Sequence, residues 1–237
     1  MKTCQKISAM LLLIMLNTFC TDDRTYYDPP APVLPGTFKY LALGDSYTIG
    51  ESVCETCRFP AQLKDSLELN TDDMINLQVI AQNGWTTTDL LSAIDNAAPA
   101  NDFDLVTLLI GVNNQYQNKP FSLYESEFPA LVNKAIAIAK DDKNNVIVVS
   151  IPDYAFTPFG QSSSNPTMIS MQIDQYNAFA QNYCNQNNIE FVNITDMTRQ
   201  WLNDPDLVAA DGLHPSEKAY SQFTSLLLPL ALTVLQN

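Results

Sequence analysis

Residues 38–50 read Phe38-Lys39-Tyr40-Leu41-Ala42-Leu43-Gly44-Asp45-Ser46-Tyr47-Thr48-Ile49-Gly50. A short apolar run, Tyr40–Gly44, ends on a glycine, and a polar cluster follows at once. Short apolar or β-branched runs bounded by turn residues read as strands. The pattern returns at Ile75–Ala81, Leu105–Gly111, Val146–Ile151 and Glu190–Ile194. Between these runs the periodicity is helical. Ser122–Lys140 carries Phe128, Leu131, Val132, Ala135, Ile136 and Ile138. Asn165–Asn188 opens on a cap followed by Pro166 and sets Ile169, Ile173, Tyr176, Ala180 and Tyr183 on one face. A last helix runs from Glu217 to about Leu235. Strand–helix alternation at this spacing predicts a three-layer α/β/α sandwich with a parallel sheet of about five strands. No internal repeat or second linker interrupts residues 38–237, which are expected to form one domain.

The chain before this domain has a different character. Lys2 and Lys6 precede the apolar run Met10–Leu16, which is too short to span a bilayer comfortably. Residues 1–19 therefore read as an export signal. Leu16-Asn17-Thr18-Phe19-Cys20 resembles the end of a bacterial lipoprotein signal, which implies lipid on Cys20 and a cell-envelope location. Ordinary secretory cleavage nearby is the other reading. Residues 20–37 contain Pro29, Pro30, Pro32 and Pro35 and read as a stiff tether. Membrane attachment is expected through the N-terminal lipid alone.

Composition narrows the function further. With 46 % hydrophobic and 16 % charged residues, the 237-residue chain can build a large core and is not globally disordered. Twelve basic against 26 acidic residues give a net charge of −14, which opposes binding to nucleic acid or broad docking on anionic lipid. His214 is the only histidine, so a multi-histidine metal site is excluded.

The seven glycines point to a site. Gly44, Gly84 and Gly111 stand at or just beyond three successive strand ends, where open α/β sheets bind ligands. Ser46 follows the first strand. Thr48 stands where a G-x-S-x-G elbow would have its last glycine, which argues against an ordinary α/β-hydrolase. Near the other end of the chain, Asp211-Gly212-Leu213-His214-Pro215 places an acid three residues before the histidine. In a single turn that spacing lets the carboxylate hold one imidazole nitrogen while the other faces a nucleophile.

These segments resemble the SGNH hydrolases, the GDSL lipase/esterase family, over roughly Phe38 to the C terminus. Gly44-Asp45-Ser46-Tyr47-Thr48 is similar to its first block, Asn83-Gly84-Trp85 to its second, Gly111-Val112-Asn113-Asn114 to its third and Asp211-Gly212-Leu213-His214 to its fifth. The resemblance implies a flavodoxin-like fold and a triad of Ser46, Asp211 and His214. It also implies an oxyanion hole made by the Ser46 and Gly84 N–H groups and the Asn113 amide. Asn114 stands where the family usually has Asp, which removes a charge near the site. The implied activity is hydrolysis of carboxylic esters through an acyl-enzyme, with no cofactor or metal. Family substrates include lipids, thioesters, aryl esters and acetylated sugars. An envelope location favours acetylated glycans or lysophospholipids. Tyr154, Phe156 and Phe159 are candidates for the substrate rim, or for capping the core. A catalytically silent binding lipoprotein on the same fold is the alternative, opposed by the intact Ser46, Asp211 and His214 set. The oligomeric state is not legible.

Cys54-Glu55-Thr56-Cys57 resembles half of a zinc site or a redox motif. Zinc would need Cys184 and His214 as further ligands, and His214 is already committed to Ser46. An exported pair of neighbouring thiols is expected to oxidise, giving a Cys54–Cys57 disulfide with Cys184 left free.

Overall fold

A computed structural model describes residues 36–236. The segments read as signal and tether, with Lys2, Lys6, Cys20 and the four prolines, lie outside the described residues. Five parallel strands form one sheet in the order β2-β1-β3-β4-β5. They are β1 (Thr37–Gly44), β2 (Met74–Ala81), β3 (Leu105–Leu109), β4 (Val146–Val149) and β5 (Glu190–Val192). The three-layer α/β expectation holds. On one side the helix Phe59–Thr71 packs with Glu217–Leu235, and elsewhere Phe121–Ile138 packs with both Thr87–Ala97 and Pro166–Asn187.

The central strands are nearly continuous in apolar residues because both of their faces are covered, whereas the edge strand β2 alternates exposed and buried positions. β3 and β4 are buried at every position. The two helical layers close over the sheet with aromatic clusters. Tyr124 packs against Phe128, Tyr176 and Phe179 in one layer, and Phe223 against Phe59, Tyr220 and Trp201 in the other. Asn165 caps Pro166–Asn187 by accepting from the Met168 N–H, and Asn188 ends that helix in the left-handed region.

Three strands end two residues earlier than the sequence suggests. Ile110, Ile151 and Ile194 lie beyond the ladder yet remain buried, so their apolar character reports packing rather than pairing. β1 begins three residues earlier, because Thr37 pairs in register with Met74.

The chain runs from β1 outward to β2 and then returns to β3 on the other side of β1. That reversal opens a crevice beyond the carboxyl ends of β1 and β3. At the end of β1 a Cβ on Gly44 would sit 2.5 Å from the Leu109 carbonyl oxygen of β3, so only glycine permits this approach.

Cys54 and Cys57 are joined in a disulfide, and Cys184 is a buried free thiol whose pKa burial pushes up to about 12. Closing so short a loop is worth about 2 kcal/mol. Reduction is expected to lower Tm modestly without unfolding the domain. Alkylating the unreduced protein in denaturant should modify Cys184 alone among these three; modification of all three would disprove the bridge.

Candidate active site

Ser46 opens the four-residue helix Ser46–Ile49 immediately after β1. Asp45 caps that turn, its Oδ1 accepting the Tyr47 N–H at 3.1 Å. At the first helical position the Ser46 N–H has no carbonyl one turn back to donate to. Ser46 is 3 % exposed and lines a cleft of about 300 Å³, together with Gly84, Asn113 and His214. Residues from three strand ends and from the loop before the last helix thus meet in one place.

His214 sits in the turn Asp211–His214. Its Nδ1 lies 2.6 Å from Asp211 Oδ2, while Asp211 Oδ1 accepts the N–H groups of Leu213 at 2.9 Å and His214 at 3.0 Å. Partial burial pushes the Asp211 carboxyl up. Hydrogen bonds from Ser52, from the His214 ring and from the two backbone N–H groups outweigh it and hold the acid well below the usual carboxylate range. An ionised acid on Nδ1 fixes the tautomer that leaves Nε2 free as a base. The ring also packs 5.4 Å from Tyr47, centroid to centroid.

Gly84 has φ +80°, which glycine adopts without strain, and it lines the cleft after β2. Asn113 Nδ2 donates to the Trp85 carbonyl at 3.1 Å and, at the limit of hydrogen bonding, to Asp45 Oδ2 at 3.5 Å. The Trp85 carbonyl accepts only, so it turns the nitrogen end of the amide toward the block that carries Gly84. Burial pushes the fully enclosed Asp45 carboxyl up to about 7, against hydrogen bonds from Tyr47 and Asn113.

Asn114 does not line the cleft. It is fully buried, accepts the Thr87 N–H at 2.9 Å and donates to Thr87 Oγ1 at 2.7 Å. A carboxylate there could accept but not donate, so the amide serves as a two-way tie between the segment after β3 and the helix after Gly84.

Of the rim candidates, Tyr154 and Phe159 line the cleft. Phe156 does not; it packs against the core. All three follow β4, but Tyr154 and Phe156 share one tight turn, Tyr154–Phe156, in which successive side chains fan apart. The Tyr154 hydroxyl donates to Gln115 Oε1 at 2.8 Å, and burial pushes its pKa up to about 12. Tyr116 and Gln117 were not anticipated as lining residues. Tyr116 is 53 % exposed and lies 6.0 Å from Tyr154 and 6.1 Å from Phe159 between ring centroids, and Gln117 Nε2 donates to the Gly84 carbonyl at 2.9 Å. They stand three and four residues after Asn113, Tyr116 ending the short helix Val112–Tyr116 and Gln117 capping it, a spacing that shares a face.

Residues 42–222 match the model of the GDSL-like Lipase/Acylhydrolase family, with Ser46, Gly84, Asn113, Asp211 and His214 all inside the matched span. The chain belongs to that family. The GDSL-family chain superposes on a lipolytic G-D-S-L protein of Veillonella parvula with a TM-score of 0.61 at 20 % identity, covering 84 % of this chain and 99 % of the other. An acetylxylan esterase of Geobacillus stearothermophilus gives 0.64 at 19 % identity over 83 % and 95 %. A lipase/acylhydrolase of Enterococcus faecalis gives 0.63 at 18 % identity over 81 % and 94 %. At these identities the likeness shows the fold. A search of curated proteins by sequence found no match. Among the described residues no cluster of three His, Cys, Asp or Glu could hold a metal, and no helix is long and apolar enough to cross a membrane.

Proposed function

We propose that this GDSL-family chain is a serine esterase that cleaves O-acyl esters through an acyl-enzyme on Ser46. The observation that carries the reading is the 2.6 Å pairing of His214 Nδ1 with Asp211 beside the cleft that Ser46, Gly84 and Asn113 also line.

His214 Nε2 takes the Ser46 hydroxyl proton as Oγ attacks the ester carbonyl. The N–H groups of Ser46 and Gly84 and the Asn113 amide receive the negative oxygen of the tetrahedral intermediate. Each such donor is worth about 3–4 kcal/mol of barrier. Collapse of the intermediate expels the alcohol, which takes the proton back from Nε2. Water then repeats the sequence on the acyl group and frees the acid. Asp211 remains ionised throughout and steadies the imidazolium.

The cleft, about 300 Å³, lies at the small end of ligand pockets. It suits a short acyl group and one adjoining ring better than a long lipid chain. Tyr116 and Phe159 give the mouth exposed aromatic faces on which a sugar ring can stack. Acetylated glycan is therefore favoured over lysophospholipid, in keeping with the acetylxylan esterase among the structural neighbours. We further propose that lipid on Cys20 holds the enzyme at the cell envelope.

A substrate panel tests this reading: p-nitrophenyl esters from acetyl to octanoyl, acetylated xylo-oligosaccharides and a lysophosphatidylcholine. Acetyl esters should turn over best, with roughly a tenfold or greater loss by octanoyl. Preference for octanoyl or the lysolipid would contradict the substrate class. No turnover on any ester would contradict the reaction.

A further inference from the structure

Asp211 has a second side-chain partner, far from the family's motifs. The Ser52 hydroxyl donates to Asp211 Oδ2 at 2.6 Å, across 159 positions of sequence. The same oxygen accepts His214 Nδ1–H, while Oδ1 is occupied by the Leu213 and His214 N–H groups. The carboxylate's acceptor sites are thereby filled, and the backbone alone settles which oxygen is left for the imidazole. What remains free is rotation and charge at Oδ2, and Ser52 acts on both.

We infer that Ser52 is a positioning residue for the proposed triad, its hydroxyl locking Asp211 Oδ2 against His214 Nδ1. The inference rests on the reading of His214 as the base.

The loop that carries Ser52 is built for this presentation. The Gly50 and Glu51 N–H groups both donate to the carbonyl of Ser46, at 3.0 and 3.1 Å, and Val53 N–H donates to Gly50 at 3.2 Å. Arg58 holds the Ile49 carbonyl at 3.3 Å, and the Cys54–Cys57 disulfide closes the far end. The loop starts at the nucleophile and delivers a hydroxyl to the acid that orients the base. Ser52 itself has φ +67°, in the left-handed region where glycine is at ease and serine is strained. A residue that keeps its side chain at such a position points to use of the hydroxyl.

Removing the hydroxyl concentrates charge on Oδ2, strengthens its hold on the protonated ring and frees the carboxylate to turn. The other charged and titratable groups around the pair include Asp45 and Tyr47 from the nucleophile's turn, Glu51 and Arg58 from the loop, Tyr220 from the last helix, and Tyr116 and Tyr154 across the cleft. Tyr47 and Tyr220 are pushed well above 10 by burial and stay neutral through the working range. None of these groups is altered by a change at Ser52.

The test compares Ser52→Ala and Ser52→Gly in the full chain. Glycine fits φ +67° without strain whereas alanine does not, so Ser52→Gly should melt above Ser52→Ala. Both variants should nevertheless lose about tenfold in kcat on p-nitrophenyl acetate with KM little changed, the scale of one hydrogen bond to a charged group. His214 is the only histidine, so its ring NMR signals are read without ambiguity, and the low-field Nδ1–H resonance should shift in both variants because its acceptor, Asp211 Oδ2, loses the Ser52 hydroxyl. A loss of stability alone would not move that resonance. An unmoved resonance in both variants overturns the inference, as does parental kcat. Ser46→Ala run alongside keeps the two readings apart. Activity in Ser46→Ala overturns the proposed reaction and leaves the resonance shift as the measure of Ser52. An inactive Ser46→Ala beside parental Ser52 variants overturns the role of Ser52 alone.

Discussion

Ser46→Ala is expected to lose ester hydrolysis by roughly 10⁴- to 10⁶-fold, because removing a nucleophile removes the whole acyl-enzyme route rather than one interaction. The variant should fold normally. The turn it opens is capped by Asp45, and the Asp45 carbonyl still accepts the Thr48 and Ile49 N–H groups at 3.1 and 3.0 Å. The check is kcat/KM on p-nitrophenyl acetate beside a melting curve. Near-parental turnover from a folded variant would show that another group attacks the ester.

His214→Gln is expected to cost a similar factor, and the double variant with Ser46→Ala little more, since residues that act as one unit are not additive. Glutamine preserves the bulk of the ring but cannot accept the serine proton. In the parent enzyme, kcat/KM should rise with pH as the imidazole loses its proton and becomes able to act as the base. Burial pushes the Asp45 carboxyl up to about 7, so it is a second group that can shape this profile. The Asp45→Asn variant separates the two groups: the rise should persist in it, whatever its absolute rate. A pH rise that survives His214→Gln and disappears in Asp45→Asn would assign the base to Asp45.

Much of this site was legible because the family signals fall on strand ends, where the chain must leave the ladder and expose backbone. Ser46 after β1, Gly84 after β2 and Asn113 after β3 follow from the run of apolar residues and the turn residues that close it. Strand ends were less legible. Ile110, Ile151 and Ile194 are apolar because they are buried beneath the loops, and composition does not distinguish that from pairing. Tyr116 and Gln117 could have been found from their helical spacing after Asn113. The contact of Ser52 with Asp211 could not, since nothing local to an exposed serine announces a partner 159 residues away. The role of Asn114 was hidden for a related reason. A substitution of amide for acid reads as a lost charge until Thr87 is seen to require both a donor and an acceptor. For Tyr154, Phe156 and Phe159 the sequence left open whether each lines the rim or caps the core; the single turn that carries Phe156 sends it to the core, while Tyr154 and Phe159 line the cleft.

Activation of Ser46 by His214 and Asp211 for covalent attack is read out by reacting the protein with a fluorophosphonate probe and mapping the adduct by mass spectrometry. One adduct is expected, on Ser46, absent from Ser46→Ala and strongly suppressed in His214→Gln. An adduct on another residue, or an ester-hydrolysing protein that takes up no probe at Ser46, would contradict it.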